Sequence, residues 1–422
     1  MIIIIGLFVL FFIGIPISFS LGIVSLGGIL IEGFSPLVVV QNMFTGIDSF
    51  PLIAVMLFIL SGNLMIKGGM SKRLVDFADA LIGHFPSGLA MVSILSCMFF
   101  AAITGSAIAA TAAIGGIMIP LMIEKGYEKE YCAPLLACGG SIGPIIPPSI
   151  PLLLYGVIAN VSVAKLFLGG FIPGILMGIA LMIHSYFIGK KRNYRGREEK
   201  APFSLVKKTA IDAILALIMP IIIIGGIMSG VFTATESGAM AVFYALVVSM
   251  FIYKELTIRD IIDCLIDCSK ATAQVLIVVA FASLFTWLIT INLLPQQITA
   301  FLSDTINNPI ILLMVINIIL LIAGTFIDTT SALIIFAPLF LPLIRNFGID
   351  TIHFGVLLAV NLTIGMCTPP LGVCLFVSGS IAKVSLVQQM RDLLPMIGVL
   401  IIVLLMVTYV PQLVLFLPNL LM

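Results

Sequence analysis

Apolar runs long enough to cross a bilayer recur from one end of this sequence to the other, and they leave few architectures open. Residues 1–31, 213–228 and 396–410 are almost continuously apolar. In a lipid core every backbone N–H and C=O must find its partner inside the protein, so only helices or a closed β-barrel can span it. A barrel would alternate apolar and polar residues over short segments, which these runs do not. The whole-chain balance agrees: of 422 residues, 61% are hydrophobic and 9% charged, with a mean hydropathy of +1.29, more apolar surface than one water-soluble core can hide. The expectation is an all-α polytopic membrane protein.

The opening MIIIIGLFVLFFIGIPISFS has no Lys or Arg, the first being Lys67, so it lacks the charged n-region of a cleaved signal peptide and reads as a retained span. A net charge of +1 and the lack of any basic or aromatic platform leave nothing for nucleic acid to bind. Seven cysteines lie mostly within apolar stretches. Cys264 and Cys268 share a helix face, but no histidine stands near to complete a metal site, so all are expected to be small core residues.

Basic residues orient the chain, because short cytoplasmic loops collect Lys and Arg. They cluster at 67–73, 124–130, 190–208, 253–270 and 383–391. With these inside, Lys165 and Arg345 are the only basic residues outside, and the N-terminus is periplasmic. The implied path has two short crossings before Glu32, a third over 51–66, an even passage up to Glu124, a broken span over 130–160 and a return over 163–188. The second half follows with 210–228, 231–253, 271–293, an even passage over 309–345, a broken span over 351–382 and a last helix over 394–416, about ten crossings in all. Each half crosses an odd number of times, so two copies of one unit would be inverted.

The copy is visible in the residues. An offset of 222 without gaps lays Ser106 on Asp328, Pro120 on Pro342, Gly126 on Gly348, Ser141 on Thr363, Gly143 on Gly365, Pro147 and Pro148 on Pro369 and Pro370, and Pro173 on Pro395. One residue further, IANVS at 158–162 lies over IAKVS at 381–385. The first inverted repeat is read as 1–200, with scaffold helices over 1–66, a hairpin over 86–124 and a broken helix over 130–160. The second is 201–422, with scaffold helices over 210–253, a hairpin over 309–345 and a broken helix over 351–382. Inverted repeats with paired broken helices are the architecture of secondary transporters.

The breaks carry the chemistry. In GGSIGPIIPPSIP (139–151) four prolines free carbonyls that a helix would have bonded, and Gly140 and Gly143 admit close backbone approach. A dehydrated Na⁺ can supply the missing partner, with the Ser141 hydroxyl as a further oxygen ligand. TIGMCTPPLG (363–372) repeats that chemistry with Thr363, Gly365 and Thr368. The hydroxyl-rich stretches TGSAIAATAAIGG (104–116) and GTFIDTTSA (324–332) are each open to two readings, two full spans joined by a tight turn or a re-entrant hairpin with its tip at the midplane; as poor extramembrane loops they favour the second.

At AAITGSAIAATAAIGGIMIP (101–120), 139–176, GVFTATESGAMAVFYAL (230–246) and HFGVLLAVNLTIGMCTPPLG (353–372), the chain resembles the large membrane subunit of TRAP transporters, the tripartite ATP-independent periplasmic family. The likeness covers essentially the whole chain. One departure is ATES at 234–237, where the family often has Thr-Pro-Thr-Glu. The resemblance implies a bacterial inner-membrane protein that works with a small four-helix membrane subunit and a periplasmic substrate-binding protein. It further implies Na⁺-driven uptake of an organic acid by an elevator movement of the hairpins and broken helices against a scaffold. Carried onto matching positions, it implies Na⁺ contacts at Thr104, Ser141, Gly143, Gly324, Thr363, Gly365 and Thr368, and substrate contacts at Ser106, Ser149, Asp328 and Thr329. Sialic acid and C4-dicarboxylates are both open as cargo, because the binding protein sets much of the selectivity.

Rival readings are open to the same residues. Asp328, an ionisable group deep in an apolar segment, is a site residue by default but also suits a structural hydrogen-bond hub. Glu236 suits a helix cap, and His84, His184 and His353 suit interfacial positions. Asp76 and Asp79 suggest an amphipathic helix along the membrane surface. Gly139, Ser141 and Gly143 match G-x-S-x-G, but a nucleophile elbow needs a preceding strand, a following helix and a histidine base, which makes an intramembrane serine hydrolase remote. A channel, or a stand-alone Na⁺/carboxylate symporter, shares every non-family feature.

Overall fold

A computed structural model of the protein describes residues 6–7, 9–11, 13–197, 199–306 and 308–422. The start of the scaffold range expected over 1–66, residues 1–5, 8 and 12, lies outside the described residues. The described elements are all helical: α1 (Ile17–Ile31), α2 (Leu37–Ile47), α3 (Phe50–Lys67), α4 (Met70–Ile82), α5 (Gly88–Thr104), α6 (Ala107–Glu124), α7 (Lys129–Gly140), α8 (Ile150–Ala159), α9 (Val163–Arg192) and α10 (Phe203–Met228). They continue as α11 (Ala234–Val247), prolonged by a π-turn, then α12 (Ile258–Ile291), α13 (Leu294–Thr305), α14 (Pro309–Phe326), α15 (Thr329–Asn346), α16 (Thr351–Gly365), α17 (Val373–Ala382), α18 (Leu386–Tyr409) and α19 (Gln412–Leu421). Nine of the described helices are long and apolar enough to cross a membrane.

Helix boundaries repeat with the sequence. Both bounds of α15 lie 222 residues after those of α6, and α16 starts 222 residues after α7. Both bounds of α17 lie 223 after those of α8. The 34-residue α12 falls at the 222 spacing over α2 and α3, which a break at Asp48 and Ser49 separates. Cores of the two units interlock: α17 packs on α6 and α7, and α15 packs on α8. A scaffold of α1, α3, α11 and α12 packs separately, touching the hairpins through α3 on α5 and α12 on α15.

Three expectations are corrected by local physics. The crossing expected over 271–293 begins at Ile258 and runs through Lys270, because Thr257 and Asp260 form a capping box that starts the helix earlier. The last helix, expected to reach residue 416, ends at Tyr409, and Pro411 precedes a separate short helix. His353, expected at an interface, is buried, with Nε2 2.8 Å from the Val407 carbonyl.

Other local readings are matched. Glu236 Oε2 accepts from Thr233 N at 2.7 Å in a capping box. All seven cysteines are free and buried. Helix α4 is amphipathic, burying Leu74, Val75 and Ala78 beneath Asp76 and Asp79. Burial raises the pKa of Asp76.

The connections on either side of the first hairpin unit are tied together. Ser87 N donates to Tyr194 O at 2.9 Å, Arg197 N donates to Gly83 O at 2.9 Å, and the Arg197 guanidinium pairs with Asp79.

Candidate functional site

Both helix pairs that close on themselves do so at a turn of two residues. Helix α5 ends on Gly105, whose φ of 61° suits glycine, and Ser106 caps α6 by accepting from Ala109 N at 3.4 Å. The second pair turns at Ile327, and Asp328 caps α15, its Oδ2 accepting from Ser331 N at 3.0 Å. Ser106 and Asp328, one offset apart, therefore do the same structural job with different charge. Asp328 is at once a helix cap and a lining residue of the cavity below.

Each tip lies against a break. A Cβ on Gly105 would sit 2.3 Å from Pro148 O, and one on Gly143 would sit 2.7 Å from Ser106 O. At the offset position, a Cβ on Gly365 would sit 2.6 Å from Gly324 Cα. No side chain fits between these backbones, which is why the sequence keeps glycine there. The prolines free carbonyls as expected, and some are taken up locally: Pro144 O accepts the buried Ser149 hydroxyl.

The residues expected to bind Na⁺ fall in two groups. Thr104, Ser141 and Gly143 belong to the first tip and break, and Gly324, Thr363, Gly365 and Thr368 to the second. The Ser141 hydroxyl donates to Cys138 O at 2.7 Å and that of Thr363 to Val360 O at 2.9 Å, an identical arrangement one offset apart. Thr368 donates to Ile364 O at 2.9 Å and Thr104 to Phe100 O at 3.3 Å. A hydroxyl whose proton is held by a helix carbonyl still presents lone pairs, the form in which it ligates a cation. Helices α5, α7, α14 and α16 all end in these groups, so the negative ends of four helices converge there.

Of the four residues expected to contact substrate, the structure brings Ser106, Asp328 and Thr329 together on a small pocket of about 90 Å³, with Pro144, Ile150 and Met366. Ser149 stays out. Its oxygen caps α8, accepting from Leu152 N at 3.2 Å, and is fully buried. Thr329 is also buried, its Oγ1 2.9 Å from Met366 Sδ. Starts of α6, α8 and α15 meet at this pocket, and the leading N–H groups of a helix have no partner within it. The pocket adjoins a cavity of about 1030 Å³ between the tips and the scaffold, lined by Asn63 on α3 and Gln274 on α12 among others.

Asn63 and Gln274 were not expected at the site, nor was Thr111, whose buried hydroxyl would be 2.0 Å from a Cβ on Gly140. Thr111 lies within the hydroxyl-rich stretch that marked the first tip, and that stretch was its signal. The two amides sit in scaffold helices with no local mark.

The same fold is found in two solved membrane transporters. The solved YdaH transporter of Alcanivorax borkumensis matches 88% of this chain and 86% of its own with a TM-score of 0.63 at 14% identity, and MtrF of Neisseria gonorrhoeae matches 88% and 83% with a TM-score of 0.59 at 15% identity. The family follows from sequence: the model for the tripartite ATP-independent periplasmic transporter, DctM component, matches residues 4–413, and the chain belongs to that family. It is similar to the isethionate TRAP transporter permease protein DctMQ of Oleidesulfovibrio alaskensis, 41% identical over 97% of this chain, which spans 65% of that longer protein. It is also similar to the 2,3-diketo-L-gulonate TRAP transporter large permease protein YiaN of Escherichia coli (39%, covering 95% of each chain) and the sialic acid TRAP transporter large permease protein SiaM of Vibrio cholerae (39%, covering 97% and 96%). The protein is a transporter permease and not an enzyme.

Proposed function

We infer that this chain is the transport subunit of a TRAP transporter in the bacterial inner membrane, taking up an organic acid in symport with Na⁺ by an elevator movement. The carrying observation is the sorting of helix ends: two C-terminal ends meet at each tip and break contact, where a cation is favoured, and three N-terminal ends meet at the adjoining pocket, of which those of α6 and α8, capped by neutral serines, favour a carboxylate. Binding both ligands between hairpin and broken helix makes their occupancy interdependent, as symport requires.

Re-entrance is supported by depth. Each hairpin limb of 17 or 18 residues is about 26 Å long, yet its tip meets the middle of a broken span, near half the bilayer depth. The large cavity follows α12 to Asp267, close to Lys270, in a stretch whose basic residues are read as cytoplasmic. That supports an inward-open state, with the N-terminus periplasmic. The extra length of the fused relative DctMQ suits a separate small membrane subunit here, and the family's name suits a periplasmic binding protein.

Co-reconstitution with those two partners in liposomes, with labelled sialic acid, a C4-dicarboxylate and isethionate, tests the reading. Uptake should need an inward Na⁺ gradient and the binding protein. Uptake without any binding protein would make the chain part of a simpler symporter, and uptake indifferent to Na⁺ would remove the coupling.

A further inference from the structure

We propose that this site selects a hydroxylated monocarboxylate, holding the carboxylate at the starts of α6 and α8 and the hydroxyl-bearing tail on Asp328, Asn63 and Gln274. The assignment rests on the cavity being the substrate site and names the chemical class it takes.

The argument is one of charge inventory. Among the residues lining the two adjoining cavities, the charged ones are Asp267 and Asp328, and no Lys or Arg is present. An anionic substrate must therefore be balanced by helix starts and by co-transported cations. Each helix start carries roughly half a positive charge. The starts of α6 and α8 are capped by neutral serines, Ser106 and Ser149, and their field is uncompensated. The start of α15 is capped by the Asp328 carboxylate, which compensates it. So the lining of this pocket of about 90 Å³ has an anion-attracting wall at the starts of α6 and α8 and an anion-repelling one at Asp328.

A single carboxylate fits the first wall. A second carboxylate on the same small molecule would be driven against Asp328. Hydroxyl groups there are instead favoured, because Asp328 Oδ2 accepts one bond from Ser331 N and Oδ1 makes none with another described residue. In the larger cavity, the side-chain amides of Asn63 and Gln274 also make no hydrogen bond to another described residue, leaving two groups that each donate and accept. A polyol tail can bond such groups directly, whereas a short unsubstituted chain offers them nothing.

Thermal-shift titration of the purified chain with its small membrane subunit, in Na⁺ and in choline, tests this with D-gluconate, butyrate and succinate as probes. Gluconate should bind in Na⁺ about tenfold more tightly than either of the others. Asp328→Ser keeps a cap of the kind found at Ser106, so it should fold, lose that preference and bind succinate more tightly than the unaltered protein does. Succinate binding as tightly as gluconate, or a preference that survives in Asp328→Ser, overturns the assignment while leaving Na⁺-coupled acid transport standing. If no acid binds better in Na⁺ than in choline, the coupling itself is wrong and this assignment falls with it.

Discussion

The two tip and break pairs share a backbone and differ in what surrounds it. In the first, residues 141–150 are all buried, and the tip is capped by Ser106. In the second, Thr368 and Pro369 are half-buried, Pro370 and Leu371 are exposed, and the cap is Asp328. Duplication preserved what backbone geometry demands, the glycines at the contacts and the proline pairs, while the charge at the helix starts was free to diverge. One framework thus carries two surroundings, one break wholly buried beside a neutral cap, the other partly exposed beside an acidic one.

The largest expected effect tests what the halves share. Gly365→Val puts a side chain where the Gly324 backbone already lies 2.6 Å from a Cβ, and Na⁺-driven uptake in proteoliposomes should fall on the order of 100-fold, the cost of displacing site groups by about 1 Å. An effect as large is expected at the residue on which they differ: Asp328→Ala should abolish Na⁺-driven uptake, while the lost cap costs only about 1 kcal/mol in unfolding. Near-normal uptake would remove Asp328 from the site. A smaller effect comes from making the halves alike. Ser106→Asp gives the first tip the cap of the second, and should weaken acid binding roughly tenfold without loss of the folded protein. The smallest effect lies behind the second break, where Asn361 Nδ2 donates to Asn317 Oδ1 at 2.8 Å and Asn317 Nδ2 to Thr408 Oγ1 at 2.9 Å. Asn317→Ala should lower the melting temperature, by about 1–3 kcal/mol of stability, and leave the dependence of uptake on Na⁺ concentration unchanged.

Much of this was legible because Pro and Gly declare themselves. Pro147, Pro148 and Gly143 mark a break wherever they occur, and their recurrence at one spacing marked the second. Facing was less legible. In a soluble helix the polar face announces itself, but a membrane helix is apolar on its lipid side and on its protein side, so periodicity says little about which residues meet. Asn63 and Gln274 were therefore invisible as cavity residues, and His353 looked interfacial although it is buried on Val407 O. Ser149 shows a related limit. Its hydroxyl serves a proline-freed carbonyl and its own helix start, which no sequence pattern distinguishes from a substrate contact.

The ties between Gly83, Ser87, Tyr194 and Arg197 bear on motion. They join the connection that enters the first hairpin unit from α4 to the connection that leaves it for α10. Two free connections would act as independent tethers. Bound to one another they make one attachment, so a displacement of the unit would load both connections together.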